Sequence, residues 1–250
     1  MKTIIIIPTY NERENIGPLI EALGACLPAG RRAVNCANTV LVVDDNSPDG
    51  TAEVVKKTRK QENNVALIEG QKEGIGRALQ RGIDYAIKNL NAEVIVQMDA
   101  DFSHDPADVP RLLAEIKNGS DLVIGSRYIK GGAIPADWGL HRKILSWGGN
   151  LLVRLLTGTW EVHEFTTNFR ALTTKLYQKM NPENFDFADN TFLPAFVVEA
   201  KRVGAKIKEV PIAFTNRKRG RSKIEVARYV PNLLKFCLQN LFVFGRIRRV

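Results

Sequence analysis

Cysteine and histidine are each present only three times in the 250 residues. Cys26, Cys36 and Cys237 are scattered and odd in number. They make neither a metal spacing nor a disulfide framework, so a reducing compartment is expected. His104, His141 and His163 do not cluster. No Ser/His/Asp or Cys/His arrangement is legible, and no histidine is assigned a catalytic role. Long apolar runs are also missing at the start. MKTIIIIPTYNE offers four isoleucines before Pro8. That is too short for a signal peptide or a membrane span and reads as a first strand. There is no internal repeat and no low-complexity segment.

The composition is that of a globular chain, 44% hydrophobic and 25% charged, long enough to bury one sizeable core. The net charge of +9 is unevenly spread. Residues 1–125 carry 14 basic and 18 acidic side chains; residues 126–250 carry 22 and 9. The acidic half suits a metal, and the basic half suits phosphate, in nucleic acid or at an anionic membrane.

Apolar runs and helical patterns alternate through the first half. Strands are expected at 3–7, 39–43, 65–68, 93–98 and 121–125, with helices at 11–27, 51–61, 76–90 and 107–117. This alternation predicts a mostly parallel sheet covered on both faces. Further on, helices are expected at 143–156 and 192–203, and strands at 165–171 and 206–214.

The strand ends carry the chemistry. Asp99 and Asp101 follow the apolar run 94–98 directly, at the strand end where open α/β sheets place ligands. Two such acids repel unless a cation joins them, and a hard divalent ion takes carboxylates together with substrate phosphates. The same residues also fit loop acids capping the helix at Asp105-Pro106. Pro8-Thr9-Tyr10-Asn11-Glu12 can cup a nucleobase or merely turn from strand to helix. Asp44-Asp45-Asn46-Ser47 can accept hydrogen bonds from a base or ribose, or close an Asx turn. Gly70-Gln71-Lys72-Glu73-Gly74-Ile75-Gly76 can offer backbone N–H groups and Lys72 to a phosphate, but it is neither a Walker motif nor a dinucleotide fingerprint. Arg127, Arg142, Arg170 and the run Arg217-Lys218-Arg219-Gly220-Arg221-Ser222-Lys223 supply cations. The run follows a strand and precedes an apolar helix, which favours phosphate binding over a merely solvated face.

Taken in order, these stretches resemble family 2 glycosyltransferases of the GT-A fold, in particular the polyprenyl-phosphate glycosyltransferases of the dolichol-phosphate mannose synthase type. The resemblance rests on IIIPTYNERENI (5–16), VDDNSPDGT (43–51), MDADFSHDP (98–106), GSRY (125–128), HRKILSWGGN (141–150), FRA (169–171), EVPIAF (209–214) and RKRGRSKI (217–224). It implies one Rossmann-like GT-A domain over 1–224, with a nucleotide-sugar and metal half (1–125) and an acceptor half (126–224). Pro8, Tyr10, Glu12, Asp44 and Asp45 would line the nucleotide pocket, with Lys72 near its phosphates. Asp99 and Asp101 would hold Mg²⁺ or Mn²⁺, with Ser103 where some relatives add a ligand. Arg127, Arg142, Arg217, Ser222 and Lys223 would receive the acceptor phosphate; Asp99, Asp101 and Arg127 form the implied catalytic set. Two positions depart from the family pattern. Glu164 stands for an Asp, and Phe192-Leu193-Pro194-Ala195 lacks an acid. Both lie in the acceptor half and bear on sugar or lipid specificity.

The implied reaction is one in-line transfer of a sugar, mannose from GDP-mannose or another sugar from UDP, to a polyprenyl or dolichyl phosphate. A phosphomonoester is already anionic near pH 7, so it needs cations rather than a general base. Over 225–250, Arg228, Asn232, Lys235 and Gln239 form one polar stripe on an otherwise apolar helix, followed by Arg246, Arg248 and Arg249. This reads as a helix in a membrane interface, placing the protein on the cytoplasmic face; the competing reading packs it on the protein's own core. No transmembrane domain is expected to follow. Two rivals come from other classes: a basic nucleic-acid binder, against which stands the absence of interleaved aromatics, and a non-catalytic nucleotide-sugar-binding protein.

Overall fold

The structure, a computed structural model, describes residues 1–26, 38–217 and 226–241. Its strands are β1 (Thr3–Thr9), β2 (Asn38–Asp44), β3 (Val65–Glu69), β4 (Val94–Gln97), β5 (Leu122–Ser126), β6 (Arg170–Thr173) and β7 (Ile207–Pro211). Its helices are α1 (Arg13–Cys26), α2 (Thr51–Arg59), α3 (Ile75–Leu90), α4 (Val109–Lys117), α5 (Leu140–Thr157), α6 (Thr174–Lys179), α7 (Phe192–Arg202) and α8 (Val226–Gln239). The expected mostly parallel α/β sheet is present, with strand order β3-β2-β1-β4-β6-β5-β7. Among the described strands, only β6 runs against its neighbours, β4 and β5.

β1 shows why the sheet is buried on both faces. Ile4 to Ile7 are all fully buried. Side chains alternate across a strand, so Ile4 and Ile6 enter one core and Ile5 and Ile7 the other. The first core is closed by apolar residues of α3, α7 and α8, among them Leu79, Phe196 and Phe236. The second is closed by α1 and α4, through Leu19 and Leu112. β1, β2 and β4 run parallel, so their carboxyl ends open on one rim.

One expected strand is corrected, and two local features accompany it. The strand expected at 165–171 begins only at Arg170. Before it, side chains take over the backbone groups: Phe165 N–H donates to Asn150 Oδ1 (2.6 Å), and Phe169 N–H to Thr167 Oγ1 (3.1 Å). Asn11 does not cap α1 in an extended conformation; it sits at φ 56°, and the first helical N–H groups reach the Glu12 carbonyl instead. Pro231 lies inside α8 without ending it.

Candidate active site

A cleft of about 350 Å³ opens at the rim of β1, β2 and β4. Pro8, Thr9, Tyr10, Glu12 and Asp45 form one end, and Asp99 and Asp101 the floor near β4. Lys72 lies over the Tyr10 ring at 3.9 Å, so the loop before α3 does bring its cation to the cleft.

The acidic loop after β4 is held tightly. Asp99 N–H donates to His104 Nδ1 (3.3 Å), and Asp99 Oδ1 accepts from the Asn168 amide (2.9 Å). Asp101 Oδ1 accepts from Ser103 N–H (3.0 Å). Phe102 takes φ 61°, a strained conformation for a bulky side chain. Thr215, just beyond β7, clamps it: its hydroxyl donates to the Phe102 carbonyl (2.9 Å) and its N–H to that of Ser103 (3.1 Å). Two residues later, Arg217 pairs with Asp101 Oδ2 at 3.0 Å. His104 is fully buried, stacked on Phe169 at 4.9 Å between ring centroids. Burial lowers its pKa although Asp99 and Asp101 pull the other way, so it is a neutral brace.

The donor set suits a hard divalent ion. Asp101 already attracts a cation in Arg217, and two carboxylates leave the remaining positions to substrate phosphates. Among the described residues no group of three or more His, Cys, Asp or Glu forms an all-protein cage. Ser103 is placed differently from a ligand facing the cleft: it is 1% exposed, absent from the cleft lining, and its Oγ has no partner among the described residues.

Asp44 is also set back. It is fully buried, accepting from Thr9 Oγ1 (2.8 Å), Ser47 Oγ (2.6 Å) and Ser47 N–H (2.8 Å). It therefore closes the Asx-type turn, while Asp45 faces the cleft and pairs with Arg81 at 2.5 Å. Burial raises the Asp45 pKa, with Arg81 opposing.

The glycines of 70–76 have a packing reason rather than a phosphate cradle. A Cβ on Gly74 would collide with the Ala188 carbonyl, and one on Gly76 with that of Phe187. Gly76 N–H is already given to the Ala188 carbonyl (2.9 Å). These two residues let the segment before α7 lie across the start of α3 and wall the cleft with Ala188, Asp189 and Asn190.

The basic half converges only in part. Arg127 is 9% exposed and gives its fork to Glu164, at 2.7 and 2.8 Å. Burial would raise the Glu164 pKa, but Arg127 outweighs it and holds the carboxyl below its ordinary value. Arg142 stacks on Trp138 at 3.8 Å. Desolvation, then the Arg217 and Arg127 charges, lower its pKa. Phe214 packs edge-on against Trp138 (5.6 Å) and takes Arg127 over its own ring (5.1 Å), which brings Arg142 and Arg127 into one region. Arg170 is not part of it: fully buried, it donates to the Thr167 and Leu193 carbonyls. Ser222 and Lys223 lie outside the described residues. Ala195, the position without an acid, faces the core. Sequence reasoning missed Asn168, Thr215, Asp189, Asn190 and Tyr229 as site residues; each is polar in a segment that reads as turn, strand or apolar helix.

α8 combines both expected readings. Leu233, Phe236 and Cys237 enter the core, while Val230, Leu234, Leu238 and Leu241 form an exposed stripe. Its Asn232 donates to Asp189 (2.6 Å), and its Tyr229 lines the cleft. α5 packs beside it and exposes Leu140 (73%), Ile144, Trp147 (58%) and Leu155, again one helical stripe. Phe242, Phe244, Arg246, Arg248 and Arg249 lie outside the described residues. Among those described, no helix is long and apolar enough to cross a membrane.

Comparison with known proteins gives the chain's family and fold. Residues 4–181 match the family described as Glycosyl transferase family 2. The chain is 36% identical over 226 residues to a polyprenol monophosphomannose synthase of Mycolicibacterium smegmatis, covering 89% of this chain and 81% of that protein. It is 33% identical over 225 residues to an undecaprenyl-phosphate mannosyltransferase of Micrococcus luteus, covering 90% and 88%. Among solved structures, the glucosyl-3-phosphoglycerate synthase of Mycobacterium tuberculosis, crystallised with Mn²⁺ and UDP, superposes with a TM-score of 0.68 at 17% identity, over 96% of this chain and 80% of that one. That likeness concerns the GT-A fold alone.

Proposed function

Because this chain belongs to glycosyl transferase family 2, we propose that it transfers mannose from GDP-mannose to a polyprenyl, dolichyl-type phosphate, with inversion at the anomeric carbon. Both relatives carry mannose and a polyprenyl-type lipid in their names. One observation supports the reading most: the Asp101–Arg217 pair joins the acidic donor floor to a region shared by Arg142 and Arg127. Opposite charges meet where a diphosphate and an acceptor phosphate would have to meet.

Pro8, Tyr10, Glu12 and Asp45 take the base and ribose, with Asp44 bracing the loop from behind. Asp99 and Asp101 would hold Mg²⁺ or Mn²⁺, which when bound would supply Lewis-acid stabilisation of the leaving diphosphate. Lys72 adds charge to that diphosphate. Arg142 and Arg217, with Ser222 and Lys223, take the acceptor phosphate, and their guanidinium forks suit its oxygens. Arg127, committed to Glu164, adds positive potential from behind. The acceptor is already charged near pH 7, so His104 need not act as a base and remains a neutral brace.

The exposed stripes of α5 and α8 dock the protein peripherally on a membrane surface. Two adjacent apolar stripes flanked by Arg142 and Lys143 suit the headgroup boundary. The acceptor then presents its phosphate without leaving the lipid, on the cytoplasmic face.

The deciding experiment presents GDP-mannose, UDP-glucose and UDP-GlcNAc to the protein with dolichyl or undecaprenyl phosphate, in Mg²⁺, Mn²⁺ or EDTA. Mannolipid formed from GDP-mannose and lost in EDTA is expected. Transfer undiminished by EDTA would overturn the metal assignment, and preferred use of a UDP-sugar would overturn the donor.

A further inference from the structure

One strip of the cleft has no part in holding base, ribose or diphosphate. It consists of Asp189, Asn190 and Tyr229. The strip stands beside the acidic floor. Arg170 faces Gln97, two residues before Asp99, and donates to the carbonyl of Leu193, three residues past Asn190. The strip is also fixed in place. Gly76 N–H holds the Ala188 carbonyl, and the Asp189 carboxylate accepts from Thr191 N–H (2.9 Å) and the Asn232 amide (2.6 Å).

Within this fixed strip two polar groups make no side-chain hydrogen bond among the described residues. The Asn190 amide and the Tyr229 hydroxyl belong to half-buried residues that line the cleft, and neither has a hydrogen-bond partner among the described residues. Half-buried groups of this kind are completed by water until a ligand group that reproduces the same hydrogen bonds takes its place. A side-chain amide both donates and accepts in one plane, and a phenol does both at one atom. That combination fits neighbouring hydroxyls of a sugar, each itself a donor and an acceptor. It fits a phosphate poorly, because an anion wants donors only.

We infer that Asn190 and Tyr229 read the hydroxyl groups of the hexose being transferred, and so determine which nucleotide-sugar is used. This rests on the nucleotide-sugar reading above and deepens it. Both residues lie beyond 4–181, the part matched by the family description. The discriminating wall lies in the C-terminal third, and one of its two readers comes from the helix that carries the exposed stripe.

The test compares each nucleotide-sugar with the same nucleotide lacking the sugar. Titration calorimetry in Mg²⁺ measures binding of GDP-mannose and of GDP to the wild type, Asn190→Ala and Tyr229→Phe. Each variant is expected to bind GDP-mannose roughly tenfold more weakly, the upper range for one lost hydrogen bond, with GDP affinity unchanged. An equal loss for both ligands would make the residues structural supports and overturn the inference, as would no loss for either. Tyr229→Phe removes a single oxygen, so it keeps the test valid if Asn190→Ala folds poorly. If the wild type prefers UDP-glucose, the donor proposed above fails on its own, and the same subtraction between UDP-glucose and UDP decides the inference.

Discussion

Asp101 and Arg217 are 3.0 Å apart, although 116 positions separate them in the chain. The expected metal ligand thus carries an internal counter-ion drawn from the expected acceptor site. A divalent ion held by Asp101 would have to compete with that guanidinium, and Arg217 would become available to an acceptor phosphate once displaced.

Arg217→Gln should therefore bind Mn²⁺ more tightly while transferring less sugar. Exposed ion pairs contribute up to about 1 kcal/mol, and here Asp101 is buried and Arg217 only 27% exposed, so the affinity gain is expected to be roughly fivefold or more. Manganese titration without donor measures it. Weaker Mn²⁺ binding in this variant would mean that Arg217 supports the carboxylate rather than competing for it.

The buried Arg127–Glu164 pair predicts acid sensitivity. Glu164 titrates below its ordinary 4.5 in the folded chain because Arg127 outweighs its burial. Its ionised form thus stabilises the fold above about pH 4.5, and that contribution disappears as the pH falls through the lowered value. Melting temperature should drop steeply below pH 4.5. Glu164→Gln should flatten this acid limb and lose about 3–5 kcal/mol at pH 7, since it strands a buried guanidinium. An acid limb as steep as the wild type's would show that another carboxylate is its source.

Gly76→Ala should damage the cleft without touching any charged group. Its Cβ would meet the Phe187 carbonyl and the Phe192 Cβ, at 2.9 Å from the latter. Backbone cannot yield as a flexible side chain can, so a loss of about 3 kcal/mol or more in urea unfolding is expected. A stable variant with normal donor affinity would show that the segment before α7 can shift freely.

Membrane docking is read from liposome flotation. Trp147→Ser combined with Leu238→Ser removes one exposed apolar anchor from each helix, at 58% and 60% exposure. Partitioning onto anionic vesicles should fall roughly tenfold or more, with the melting temperature unchanged. Equal flotation of the variant would assign these stripes to another role.

Much of this was legible in the chain because it is local. Four consecutive isoleucines dictate a doubly buried strand, and acids placed directly after apolar runs come to one rim once the strands run parallel. What was not legible depends on distant partners. Nothing near Asn168 tells that it supports Asp99 (2.9 Å), and nothing near Thr215 tells that it clamps Phe102. Arg127 and Arg170 look alike as cations in sequence, yet one forms a buried pair and the other ties down two carbonyls. Asp44 and Asp45 are adjacent, yet the last residue of the strand points inward to its own turn and the first residue past it lines the cleft.

The reversed strand β6 also dictates the order in which the molecule is completed. β5 never touches β4; β6 stands between them and is made only after α5. A growing chain that ends near residue 160 leaves β4 with a bare edge and β5 without a neighbour beside it, and open edges invite wrong pairings. The acidic first half, for all its strand-end motifs, therefore does not complete its own sheet. Its last sheet seam is closed by the second half, and the same closure seats Asn168 on Asp99.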